Sequence, residues 1–236
     1  MSHDGNEFAR IINNPLMKSD NVTRFSGLYQ SSPEYLSYHI VDVSMMSYII
    51  SRELITKYHC SINVGKLLQR CLVHDADEVL IGDIPRLTKY SSKEVHDKLS
   101  ELADSTARKM SYDIDSTNYT YDLWSEAKAD DIEGWILKIV DILSVSNKTV
   151  KEIVYNHNLR FLRVAEESAN YIGDLITSLS DKSEVFGEEA TTYLQNVLND
   201  DLTLMDELLN HYHQDISTYE LINPIISNIV DHRDKG

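Results

Sequence analysis

The stretch from Cys71 to Tyr90 limits most strongly what this chain can become. It reads Cys-Leu-Val-His-Asp-Ala-Asp-Glu-Val-Leu-Ile-Gly-Asp-Ile-Pro-Arg-Leu-Thr-Lys-Tyr. Leu67, Leu68, Cys71 and Leu72 lead into it at helical spacing and predict a buried helical segment. The chain then places His74, Asp75, Asp77 and Glu78 within five positions, where a packed helix would continue with apolar residues. Burying unpaired charge is costly, so the cluster needs a partner, and a divalent cation is the most economical one. Continued as helix, His74 and Glu78 share a face and Asp75 stands one turn from Glu78. His74 and Asp75 can then both reach one ion beside the helix. Gly82 and Pro85 stop the helix and turn the chain, leaving Asp83 on a loop close to the cluster. A His-Asp pair alone reads as a solvated helix end; the full string is far more specific.

The rest of the chain carries a helical period throughout. A short helix is expected over 6–13, and Lys18 to Pro33 reads as a loop with the exposed base Arg24 beside Phe25. Ser32-Pro33-Glu34 opens a long helix to about Tyr58, with Ser32 as N-cap and Pro33 at its first position. Leu36, Ile40, Val43, Met46, Ile50 and Leu54 keep its helical spacing, and His39 falls in its first third. A second helix starts near Asn63 and carries the cluster, and a charged third runs from Ser92 to about Tyr112. Asp115 to Tyr121 reads as a loop. Asp130-Asp131-Ile-Glu133 places acids at the positive end of the next helix, which continues through Leu143. Helices follow over 151–178, 186–198, 200–213 and 215–231, with turns at Asp181-Lys-Ser-Glu and Asn199-Asp-Asp. With no convincing strand, repeat or low-complexity tract, the expected fold is all-α, a single-domain helical bundle. Residues 181–236 form a C-terminal helical extension packed on the domain of residues 1–180.

Composition narrows the function. At 236 residues and 42% hydrophobic content the chain can bury a substantial core. A formal charge of -16 argues against a nucleic-acid polymer as partner, because such binding relies on many Lys/Arg–phosphate contacts. Two cysteines suit a reducing compartment, and neither a signal peptide nor a bilayer-length apolar run is found. These features predict a cytoplasmic protein.

Two further residues join the cluster. Asp141 sits between Val140 and Ile142, with Leu137 four residues back, and so faces the interior or its border. Alone it reads as a carboxylate bonded to a neighbouring helix; taken with His39, His74 and Asp75 it reads as a ligand. His211 and His213, two apart on a helix, point in different directions and read as a polar end. His59, His96, His157 and His232 sit among polar residues.

The order and spacing of His39, His74-Asp75 and Asp141 resemble the HD-domain metal-dependent phosphohydrolases, and most of all their bacterial 5'-deoxynucleotidases. Pro15-Leu16-Met17, the string from Val73 to Pro85, Lys89 and Val140-Asp141-Ile142 carry the likeness, which spans about residues 8 to 170. It implies an HD-type bundle in which His39, His74, Asp75 and Asp141 hold one divalent ion. Mixed imidazole and carboxylate ligands suit manganese, cobalt, iron or zinc better than calcium, and magnesium also stays open. Such an ion supplies Lewis acidity toward a phosphate oxygen and readies the attacking water. The resemblance further implies Glu78 as the group handling that water or the leaving oxygen, Asp83 on a sugar hydroxyl, and Arg24 and Lys89 on the phosphate. Asn14 takes the place of a substrate contact, and a homodimer is implied. Two departures stand out: Asn13-Asn14 replaces an Arg-Trp pair, and Tyr38 replaces a glutamate before the first metal histidine.

The implied activity is hydrolysis of deoxynucleoside 5'-monophosphates. Alternatives are a deoxynucleoside triphosphate triphosphohydrolase releasing tripolyphosphate, a cyclic-nucleotide phosphodiesterase, and an inactive nucleotide-binding HD protein. Few basic residues lie near the motif, which favours a monophosphate.

Overall fold

A computed structural model describes residues 7–115 and 117–212. After α1 (Glu7–Ile12) and a 3-10 turn at Pro15–Asn21 come α2 (Leu36–Tyr58), α3 (Val64–Val73), α4 (Glu78–Ile81) and α5 (Arg86–Lys89). They are followed by α6 (Lys93–Asp115), α7 (Tyr119–Glu126), α8 (Ile132–Val150), α9 (Leu162–Leu179), α10 (Ser183–Phe186) and α11 (Glu188–His211). Among the described residues no strand forms; Thr23 and Tyr35 make one isolated antiparallel bridge. The fold is therefore all-α, as the apolar spacing requires. No described helix is long and apolar enough to cross a membrane.

The centre is α8. Trp135, Ile136, Leu137, Ile139, Val140 and Ile142 are all buried, so this helix is apolar nearly all round and needs neighbours on every side. From α2, Leu36, Ile40, Val43, Ile50 and Leu54 cover one flank. The antiparallel pair α9 and α11 covers another, with Ile172, Leu175, Leu194, Leu198 and Met205. The described part of residues 181–236 thus shares one core with the rest.

Polar anchors set the register of these helices. Asp131 caps α8 by accepting from Gly134 N at 2.8 Å, and its two oxygens also take Arg70 Nη1 and Nη2 at 2.7 Å each. Arg70 is 1% exposed, so this bidentate pair fixes α3 against the start of α8. Glu152, just past α8, accepts from Lys148 Nζ at 2.7 Å, Asn158 Nδ2 at 2.8 Å, Ser31 N at 3.0 Å and Ser32 N at 3.3 Å. It ties the segment before α2 to the end of α8.

Four sequence expectations are corrected. The second helix does not run through the cluster: α3 ends at Val73 and residues 74–77 form a tight turn before α4. The long helix starts at Leu36, not at Ser32-Pro33, because Ser32 N is drawn to Glu152. The helix expected over 151–178 is broken: a π turn at Lys151–Tyr155 leads to His157, whose φ of 52° is left-handed. The turn at Asn199-Asp-Asp is absent, since α11 is continuous and Leu198, Asp201 and Met205 lie on its buried side. The helix expected over 215–231, His213 and His232 fall outside the described residues.

Asp201 is an acid buried in that core, accepting from Ser146 Oγ at 2.8 Å. Burial pushes its carboxyl up to about 6 and the Ser146 hydrogen bond only partly opposes this. A folded value above the unfolded one favours the protonated group. Stability is therefore lost as the pH rises from about 4 through 6. Asp201→Asn, which keeps an acceptor for Ser146, should raise stability at pH 7.5 by about 1–3 kcal/mol. In denaturant titrations the gap between variant and parent should open over that pH range; equal midpoints at pH 4 and pH 7.5 would refute it.

Candidate metal centre and its cavity

Three elements bring four ligand atoms together. His39 comes from the first turn of α2, where the buried Leu36 and Ile40 turn it inward. His74 and Asp75 come from the turn after α3, and Asp141 from the middle of α8. His39 Nε2 stands 3.2 Å from His74 Nε2, 3.4 Å from Asp75 Oδ2 and 3.1 Å from Asp141 Oδ1, and His74 Nε2 is 3.1 Å from Asp75 Oδ2. All four ligand atoms lie within 4.8 Å of one another.

The chemistry of this set fits a cation. His74 Nδ1 is 2.8 Å from Cys71 O, a carbonyl that can only accept, so the neutral ring has its lone pair on Nε2. His39 Nδ1 is held by Ser144 Oγ at 2.9 Å, which aims its Nε2 at the same point. The His74 lone pair and the Nε2 of His39 then face two carboxylates. A single proton joins two such atoms; a divalent ion satisfies all four at once. Protonation energetics carry the same demand for positive charge. Burial alone would push His74 down, yet Asp75 and Asp141 hold it up at about 9. Burial works to raise Asp75 and Asp141, and the histidines keep both below the usual carboxylate range.

Arg24 is not the exposed base expected. It is 9% exposed, with Nη1 3.3 Å from Asp75 Oδ2 and Nε 3.4 Å from Glu34 Oε1. Phe25 follows with a left-handed φ of 53°, a cost of about 1–2 kcal/mol. Its N–H donates to Asp83 Oδ2 at 2.6 Å and its ring packs on Phe161 at 5.3 Å, which hold it there. Gly82, with φ 79°, makes the turn that brings Asp83 back to that loop. Glu78 begins α4 beside Asp75, Arg24 and Asp83, and its buried Oε2 has no hydrogen-bond partner. Burial and then Asp75 push its carboxyl well above the ordinary range.

A cavity of about 590 Å³ opens on the cluster. It takes in Arg24, His74, Asp75, Asp83, Lys89 and Asp141, so the structure gathers most of the residues singled out from the sequence. Asn14 is not among its lining; its Oδ1 accepts from Leu16 N at 3.0 Å and caps the turn at Pro15–Asn21. Six basic side chains line the cavity: Arg24, Arg86, Lys89, Lys128, Lys138 and Arg163. The scarcity of basic residues read near the motif is thus corrected, because the missing cations arrive from distant positions. Lys128 and Lys138 carried no recognisable sequence signal. Ser144, the partner of His39 three residues after Asp141 in an apolar helix, was an interruption that could have been noticed.

An all-α core presenting two imidazoles and two aspartates from these helices is the arrangement that the resemblance to HD-domain proteins implies. The sequence matches the family described as 5'-deoxynucleotidase YfbR-like over residues 13–194, and the chain belongs to that family. It is a nucleotide phosphohydrolase of that family, and its His/Asp cluster suits a divalent metal. A 5'-deoxynucleotidase from Shewanella oneidensis is 25% identical over 134 residues, 56% of this chain and 68% of the relative. An HD-domain phosphohydrolase from Listeria innocua shares the fold with a TM-score of 0.61 at 22% identity, covering 86% of this chain and 95% of its own. A protein from Pyrococcus horikoshii does so with a TM-score of 0.60 at 18% identity, covering 84% and 99%.

Proposed function

We propose that the chain hydrolyses deoxynucleoside 5'-monophosphates to deoxynucleoside and phosphate, using one divalent ion held by His39 Nε2, His74 Nε2, Asp75 and Asp141. The convergence of those four ligand atoms at one side of a nucleotide-sized cavity carries this reading. When bound, the ion supplies Lewis acidity toward the phosphate. Arg24 and Lys89 neutralise the phosphate, and Asp83 accepts from a sugar hydroxyl. Glu78 takes a proton from the attacking water or delivers one to the leaving oxygen, for which its unpartnered Oε2 is suited. Manganese, cobalt, iron and zinc suit the ligand set, with magnesium also admitted. A cytoplasmic location and a homodimer belong to the same reading. The support for a dimer is the outward face of α2, where Tyr38, Val41, Met45, Tyr48 and Ile49 are all exposed.

Metal analysis followed by turnover assays on deoxynucleoside monophosphates, ribonucleoside monophosphates and deoxynucleoside triphosphates tests the proposal. Phosphate release from the first group alone is expected; release of tripolyphosphate in its place would overturn it. Glu78→Gln should keep the metal and bind substrate while turnover falls by roughly 10²–10⁴-fold. Unchanged turnover would remove Glu78 from the reaction.

A further inference from the structure

The cavity is longer than the cluster needs, and its two ends differ. It follows α8, which contributes Leu137 and Lys138 on the N-terminal side of Asp141 and Ile142 and Val145 on the other. From Lys138 to Val145 is about 10 Å along a helix. The Val145 end is apolar, with Phe25, Leu28 and Val164, and Asp83 reaches it through its bond to Phe25 N. The Lys138 end is cationic: Lys128, just ahead of α8, and Lys89 line it.

Lys128 and Lys138 are held in the same unusual way. Elsewhere on this acidic chain lysines pair with carboxylates, as Lys93 does with Asp97 and Lys98 with Glu101. Here Lys128 Nζ lies 3.7 Å over the Trp124 ring, and Lys138 Nζ 4.2 Å over the Trp135 ring. The acid near each lysine is already engaged by the same indole: Trp124 Nε1 donates to Asp77 at 2.8 Å and Trp135 Nε1 to Asp130 at 2.6 Å. Asp130 also takes Lys182 at 2.8 Å. Indole faces steady the two ammonium groups without neutralising them. Burial and then the nearby Lys89 push Lys128 down, and Asp77, Asp75 and Glu78 only partly oppose them.

We propose that Lys128 and Lys138, with Lys89 lining the same cavity, form a second phosphate subsite. It holds the tail of a deoxynucleoside di- or triphosphate whose first phosphate lies at the His/Asp cluster and whose nucleoside lies at the Phe25 end. The proposal rests on the placement of the reacting phosphate given above. It adds that the cavity distinguishes nucleotides by the length of their phosphate chain.

The test is equilibrium binding of dAMP and dATP to Glu78→Gln protein loaded with manganese, at matched free metal. In that protein dATP should bind at least about tenfold more tightly than dAMP, and raising the salt should shrink the ratio. Adding Lys128→Gln and Lys138→Gln together should bring the ratio close to one, while Lys128→Arg with Lys138→Arg should retain most of it. A general loss of structure would not produce that pattern. A ratio below two in the parent, or one unchanged by the paired glutamines, overturns the subsite. Pyrophosphate binding as tightly as dATP would assign the site to a free inorganic anion and overturns it as well. If the wild-type protein hydrolyses no deoxynucleotide, the phosphatase reading fails, and the binding ratio still decides the subsite.

Discussion

Asp75→Ala is expected to lose metal and turnover together. Asp75 Oδ2 is the atom on which the site closes, 3.1 Å from His74 Nε2, 3.4 Å from His39 Nε2 and 3.3 Å from Arg24 Nη1. Without it, two imidazoles face the Arg24 guanidinium across a gap with one fewer negative charge. A divalent ion would then meet a weaker donor set and an unscreened cation. Losing a Lewis acid worth several kcal/mol corresponds to a fall in turnover of at least about 10³-fold. The checks are metal content after dialysis and phosphate release at saturating substrate. Stoichiometric metal with full turnover would strike Asp75 from the ligand set. The circular dichroism spectrum should be unchanged, because residues 74–77 are also held by Trp124 through Asp77.

The second large effect is on stability and lies away from the chemistry. Glu152 and Lys148 are 0% and 5% exposed in their side chains, and Glu152 also gathers Asn158 and the backbone of Ser31 and Ser32. Glu152→Ala leaves a buried lysine without its carboxylate and removes the acceptor of the buried Asn158 amide and of two backbone N–H groups. Breaking such a pair from one side costs about 3–5 kcal/mol. Urea unfolding should show that loss, and proteolysis between residues 26 and 33 should quicken, since the same group anchors the segment that presents Arg24 to Asp75. An unfolding midpoint within error of the parent would show that the network contributes nothing.

The pH dependence of this network has a definite sign. Burial works to raise the Glu152 carboxyl, but Asn158, Lys148 and the two backbone donors hold it at about 2. A folded value below the unfolded one means the contribution is complete above about pH 4.5 and drains away as the pH falls toward 2. Glu152→Gln should therefore differ most from the parent at neutral pH and least at the acid end. Asp201 behaves oppositely, destabilising the fold as the pH rises through 6.

The helical class was legible because apolar period is local. Leu36, Ile40, Val43, Ile50 and Leu54 mark one face whatever surrounds them, and all five are buried on α2. The cluster was legible for a related reason: His74-Asp75 and Asp141 interrupt apolar runs, and charge among buried residues demands compensation. Where one helix ends and another begins was less legible. The break at residues 74–77 and the continuity of α11 through Asn199-Asp-Asp depend on what the two sides pack against.

What the sequence alone determined is the helical class and the identity of the four converging side chains. The tertiary structure decided which of their atoms meet, through Ser144 behind His39 and Cys71 O behind His74. It also decided that Arg24 is buried against Asp75 and that Lys128 and Lys138 share a cavity with Lys89. Apart from the contact of His74 with Cys71, those relations join residues tens of positions apart. A local pattern carries no information about them, because only the packing of α2, α3 and α8 fixes the distances between them.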